Sequence, residues 1–176
     1  MKIIKIEGIF VGEHVVADLC NLAKKLYDKG RFGEIKKDKI KYSLLEALFL
    51  LDTGKLNIVS STNKEFNFDS FLKKIKKSEL NFWSKYCVYK DLRIRGYIVK
   101  TALKFGADFR VYDRGVKPGQ GHATWIVYPV YESDVMTWYD FAAKNRVAHS
   151  TKKKLLLGIV DNEEDVTYYE VGWIKP

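Results

Sequence analysis

Lys154 to Asp161 reads KLLLGIVD, a run that is apolar at almost every position. A strand with apolar side chains on both sides of its pleat has to be covered on both faces, the situation of a strand inside a sheet flanked by other layers. The neighbouring segments supply partners and cover. Thr137-Trp138-Tyr139-Asp140 opens a helix that runs to about Val147, and Asp161-Asn162-Glu163-Glu164-Asp165 is an acidic turn. Residues 166–174 then alternate as a last strand. Strand, helix and strand around one doubly apolar strand predict an α/β C-terminal half built on a mixed sheet.

Upstream, residues 2–11 alternate as a strand. Val15, Leu19, Leu22 and Leu26 fall at helical spacing, which predicts an amphipathic helix ended by Lys29-Gly30, with His14 on the surface at its start. Residues 31–42 are charged and irregular. Ser43-Leu44-Leu45-Glu46 is a capping-box pattern before an apolar run that Gly54 closes. A short strand follows at Leu56–Val59. Asn67 then caps a helix with Phe68, Phe71, Leu72 and Ile75 on one face, its Lys73, Lys74, Lys76 and Lys77 forming a solvated face. One long helix is predicted from Glu79 to Arg95, with Phe82, Tyr86 and Tyr89 as a core stripe, and Tyr97–Thr101 as the next strand. The pattern changes near residue 80, which is placed as a domain boundary.

The 176 residues are enough for one large or two small domains, and 47% apolar content is that of a globular chain. Lys and Arg number 31 against 22 Asp and Glu, a net +9. That balance points to an anionic partner, nucleic acid first and a membrane surface second; the bland alternative is charge serving solubility. Cys20 and Cys87 lie far apart with no CxxC, which reads as two reduced thiols in a cytoplasmic protein rather than a zinc or disulfide framework. No apolar run approaches a membrane span, and no secretory leader is expected.

Two basic elements draw the functional reading. Phe109-Arg110-Val111-Tyr112 reads as a strand, residues 114–121 as a loop with three glycines, a proline and two basic residues, and residues 122–128 as the returning strand. Tyr112 and His122 thus frame a mobile basic loop, a place for chemistry on a phosphate or simply a basic hairpin. The second element, KNRVAHSTKKK (144–154), lies between the helix end and the apolar strand. It is either a binding cluster or a cationic complement to the helix C-terminus.

With both elements in view, the chain resembles the archaeal tRNA-splicing endonucleases (tRNA-intron endonucleases). The stretches that carry the likeness are SLLEALFLLDTGKL (43–56), FWSKYCVYKDLRIRGYIVKTALKFGADFRVY (82–112), the tyrosine-to-histidine loop, RVAHSTKKKLLLGIVD (146–161) and VTYYEVGW (166–173). The short length is similar to the homotetrameric type. The resemblance implies a small N-terminal α/β domain for structure and assembly (1–80). A C-terminal mixed-sheet α/β nuclease domain of restriction-endonuclease-like type (81–176) would follow. It also implies a Tyr112–His122–Lys153 triad, an RNA base gripped between Arg146 and Trp173, and self-association through the Asp161–Asp165 turn. At the Trp173 position relatives more often carry arginine. Strand alternation sets Lys153 apart from Lys152 and Lys154.

The implied reaction cleaves precursor tRNA at a bulge–helix–bulge, leaving a 2′,3′-cyclic phosphate and a 5′-hydroxyl. The RNA's own 2′-OH is the nucleophile, so no metal or cofactor is expected. An imidazole, with a reference pKa of about 6.5, suits His122 to proton donation. An ammonium suits Lys153 to the phosphorane charge. Tyr112 either takes the 2′-OH proton or orients that hydroxyl. The alternatives are a non-catalytic RNA-binding or structural subunit and a metal-dependent DNA nuclease.

Overall fold

A computed structural model describes residues 5–76, 81–174 and 176. The chain divides into two compact units, Met1–Leu80 and Asn81–Pro176.

In the first unit Gly12, with a φ of 61°, turns β1 (Ile6–Val11) into β2 (His14–Asp18). The helix predicted to begin near His14 is therefore corrected. Residues 14–18 alternate with the burial of a strand, and Val15, fully buried, pairs with β1 on one side and with β4 (Lys39–Ser43) on the other. Period 2 wins here because β-branched residues 15 and 16 gain ladder partners on both edges. Only Asn21–Gly30 forms the helix, α1. The charged stretch 31–42 is not irregular: it holds β3 (Glu34–Lys36) hairpinned onto β4.

Ser43 caps α2 (Leu44–Asp52) as the sequence predicts, with the capping box formed in both directions. Buried Glu46 also accepts a bond from the Gly33 amide at 3.0 Å, so one carboxylate ties the helix start to the preceding loop. Then come β5 (Leu56–Val59), a short β6 (Glu65–Phe66) and α3 (Phe68–Lys76), the last capped by Asn67, whose Oδ1 accepts from the Ser70 amide. The sheet order is β3-β4-β2-β1-β5-β6, with β1 and β5 parallel. Lys73, Lys74 and Lys76 are exposed. Lys2, Ile3 and Ile4 of the first predicted strand, Lys77, and the start of the long helix at Glu79 and Leu80 lie outside the described residues.

The second unit begins with α4 (Phe82–Ile94), whose Phe82, Tyr86 and Tyr89 are buried, as a core stripe requires. A five-stranded sheet follows, made of β7 (Ile98–Ala102), β8 (Ala107–Tyr112), β9 (Trp125–Tyr131), β10 (Lys154–Val160) and β11 (Val166–Val171). Between β9 and β10 runs α5 (Trp138–Ser150), capped by Thr137. The order is β11-β10-β9-β8-β7, and only β9–β10 is parallel. The KLLLGIV run thus lies inside the sheet, with α4 packed on one face and α5 on the other. Gly158 is what lets α4 come close: a Cβ there would meet Val88 Cγ2 at 2.9 Å and the Tyr168 ring at 3.3 Å. Gly158→Ala is expected to lower stability by about 1–3 kcal/mol. The shift in denaturant midpoint at constant slope would measure it, and an unchanged midpoint would mean that α4 yields freely.

Candidate active site

Register brings the candidate residues to one end of the second sheet. Val111 pairs with Trp125 and Trp125 with Lys154. The Thr124 amide still donates to Val111 O at 2.9 Å, and the Lys154 amide to Thr124 O at 3.0 Å. One step further along the same ladders sets Tyr112, Thr124 and Lys153 side by side at the ends of three adjacent strands. The β10–β11 register, Leu155 opposite Val171, carries that row on to Trp173.

His122 departs from expectation. It does not open a strand, because β9 starts only at Trp125. It is an exposed loop residue three positions before the strand. The loop is nonetheless tied down at its base. Ala123 and Val116 pack against Tyr112 and Ile98, and Thr124 Oγ1 donates to Asp113 Oδ2 at 2.7 Å. Gly115 and Gly119 take left-handed conformations at φ of 83° and 88°. His122 therefore projects from a pinned base beside a Tyr112 that is 4% exposed.

The three consecutive lysines are treated differently. Lys152 has a φ of 55° in the turn out of α5. The Lys153 Nζ donates to Thr151 O at 2.8 Å and lies 5.7 Å from the Phe105 ring centroid, on the face that α5 covers. Lys154 Nζ bonds Glu170 Oε1 at 2.7 Å on the opposite face, where Trp125 Nε1 also donates to Glu170. Alternation along β10 thus separates Lys153 from Lys154.

Arg146 and Trp173 share a cavity of about 630 Å³ along α5, together with Phe141, Asn145 and His149. Trp173 is past the end of β11, which stops at Val171 rather than running to 174, and its ring sits 4.0 Å from that of His149 at 54°. A second cavity of about 270 Å³ holds Lys153, Trp173, Asn145 and His149. Two residues that sequence reasoning did not assign lie beside the candidate residues. Arg110 lies two positions before Tyr112 on β8, its guanidinium 6.0 Å from the Tyr112 ring centroid. His149 lines both cavities. Alternation from Tyr112 and helical spacing from Arg146 were the signals that pointed to them. Among the described residues no group of three or more His, Cys, Asp or Glu side chains is placed to hold a metal ion, and no helix is long and apolar enough to cross a membrane.

A mixed sheet that ends in a phenol and an ammonium, with an imidazole on the adjoining loop and an aromatic and cationic cavity alongside, defines a candidate site for phosphate chemistry. Residues 82–168 match the catalytic C-terminal domain of the tRNA intron endonucleases, and residues 6–72 match the N-terminal domain of that family. The chain is 41% identical to the tRNA-splicing endonuclease of Methanothermobacter thermautotrophicus, over 98% of this chain and 99% of the relative. It is 41% identical to that of Pyrococcus horikoshii, over 97% of each. With that of Nanoarchaeum equitans it shares 48%, over 76% of this chain and 88% of the relative. The chain belongs to the tRNA intron endonuclease family.

The Glu170 carboxyl is held below the usual carboxylate range, first by its bond from Lys154 and then by that from Trp125. A depressed carboxyl stabilises the fold above the ordinary Glu value of about 4.3, and that contribution is lost as pH falls through the folded value. An NMR titration should place the Glu170 midpoint below that of a free glutamate, and Lys154→Met should move it back up. A Glu170 midpoint unmoved by Lys154→Met would mean that the pair does not form in solution.

Proposed function

We propose that this chain cuts intron-containing precursor tRNA at the bulge–helix–bulge by transesterification. The 2′-oxygen attacks the adjacent phosphorus, its proton leaves, the bond from phosphorus to the 5′-oxygen breaks, and the departing oxygen takes a proton. The products are a 2′,3′-cyclic phosphate and a 5′-hydroxyl. The observation that carries this reading is the convergence of Tyr112, the base of the His122 loop and Lys153 at adjacent strand ends, in a member of this family.

In this reading His122, exposed on its pinned loop, gives the proton to the 5′-oxygen. Lys153, positioned by its bond to Thr151 O, meets the charge on the phosphorane. Tyr112 faces the 2′-OH, as base or as orienting hydroxyl, with the Arg110 guanidinium over its ring. Arg146 and Trp173 hold an unpaired base by its faces, a contact indifferent to sequence that suits an enzyme reading RNA shape. The unit 81–176 carries this chemistry, and the unit 1–80 serves structure and assembly.

Assembly is proposed as a homotetramer, with the acidic turn at the subunit contact. The turn is exposed and braced from within, since Asp161 Oδ1 accepts from the Glu163 and Asp165 amides at 2.9 Å each. Asp161 is needed for that brace, so the variant to make spares it. Glu163→Gln, Glu164→Gln and Asp165→Asn together should lower the mass seen in light scattering. An unchanged mass removes the turn from the contact.

The reaction is tested with a short bulge–helix–bulge RNA in excess EDTA. Cleavage with cyclic-phosphate ends, lost when the cut sites carry 2′-deoxyribose, is expected. Cleavage only with added metal would overturn the reading, and so would none at all. His122→Ala should lower kcat by ~10²–10⁴-fold and Lys153→Ala by ~10²–10³-fold, with RNA affinity within a few-fold of the parent. Parental cleavage by either variant would strike that residue from its role.

A further inference from the structure

The α5 cavity is larger than one base requires. Its volume of about 630 Å³ is in the range that takes ligands of several rings, roughly 300–1,000 Å³. Phe141, Arg146 and Trp173 all line it. Arg146 is five helical steps on from Phe141, about 7.5 Å along the axis at 1.5 Å per residue. That is about twice the ~3.4 Å step between stacked nucleotides of one strand. Two bases could not stack on each other across it, but two splayed neighbours could each stack on protein.

The stripe also continues past the cavity. Trp138, Ala142, Asn145 and His149 follow at steps of four, three and four, which keeps them on one side of α5. Trp138 is 84% exposed and stands edge-on to Phe141, with ring centroids 5.8 Å apart at 89°. A single exposed tryptophan is ordinary on a protein surface. This one extends a cavity whose lining is already aromatic and cationic, and its open face has no aromatic neighbour among the described residues. The charge at the rim chooses the occupant. Arg146 is exposed on the cavity wall, and Lys153 lines the adjoining cavity that shares Asn145, His149 and Trp173. An apolar protein segment would strand these cations, whereas a nucleotide brings a flat base for the rings and a phosphate for the charges.

We infer that this cavity takes two consecutive unpaired nucleotides, one between Arg146 and Trp173 and the next on Phe141 and Trp138, with Asn145 between them to meet a base edge. The inference rests on the RNA-cleavage reading and extends it to a second nucleotide site.

The test uses the full-length protein and an uncleavable, 2′-deoxy bulge–helix–bulge RNA carrying 2-aminopurine at one bulge position at a time. Emission of this base analogue falls when it stacks on an aromatic ring. Two consecutive positions should respond. Trp138→Ala, at an exposed position and so compatible with folding, should abolish the response at the second position. It should leave the first intact and weaken binding about 5- to 150-fold, the range of one base stack. Trp138→Phe should restore both, and Trp173→Ala should act on the first position. A second position indifferent to Trp138→Ala, with the first responding and the ribo-form RNA still cleaved, overturns the second site alone. A fall in light-scattering mass for Trp138→Ala with both responses unchanged would assign the patch to a contact between copies, and overturns it too. No response anywhere and no cleavage would bring down the RNA reading itself.

Discussion

The parallel pairing of β9 with β10 is the constraint on which the site depends. It runs from Lys154 opposite Trp125 to Val160 opposite Tyr131. A parallel pair needs a crossover, and here α5 supplies it while covering the sheet face on which Arg110, Tyr112 and Lys153 lie. Because β8 is antiparallel to β9, the end of β8 meets the start of β9, and the parallel ladder adds the start of β10 to the same place. Three chain segments far apart in sequence thereby arrive at one edge. A slip of one residue in the β9–β10 register would exchange Lys153 for Lys154 and turn the site lysine toward α4. The apolar side chains of β10, covered on both faces, and the close seat of α4 over Gly158 oppose that slip.

The same alternation sorts the charges. Lys154 is neutralised by Glu170, which Trp125 also holds, on the α4 face. Lys153 has a backbone carbonyl for its partner, and among the described residues no acid is seen to bond it. A cation that must meet developing negative charge is best kept from a carboxylate, since an ion pair would cancel the field that stabilises the transition state. Arg110 adds a second cation beside the Tyr112 ring from the same face of β8.

The central strand, the capping box at Ser43 and the Phe82–Tyr86–Tyr89 stripe were legible because each is decided locally, by apolar continuity, one side-chain cap or helical spacing. What could not be read was decided by pairing. Val15 fits a helical stripe with Leu19, Leu22 and Leu26, and nothing local shows that β1 and β4 would claim it for a strand. Residues 31–42 have little apolar pattern, yet β3 and β4 form because β2 offers an edge. His122 reads as the start of a strand because the apolar run after it is continuous. The ladder begins later because residues 123 and 124 are used to close the loop onto Tyr112 and Asp113. Arg110 and His149 were within reach of simple periodicity, counted from Tyr112 and from Arg146.

Trp173 shows how a side chain just past the end of its strand can be given a fixed face. Where arginine would give charge and a planar face, tryptophan gives the face alone, with a larger stacking area. An indole at an unpaired chain end would be poorly placed without support, and β11 has already ended at Val171. His149 supplies that support from α5, ring against ring at 4.0 Å. In the proposed grip a base would meet this preset surface on one side and the Arg146 cation on the other, a charge that also favours the anionic backbone. A grip so arranged would depend on the α5–β11 spacing, so that in the proposed reading the crossover helix, and not the loop that bears the imidazole, sets how the RNA is held.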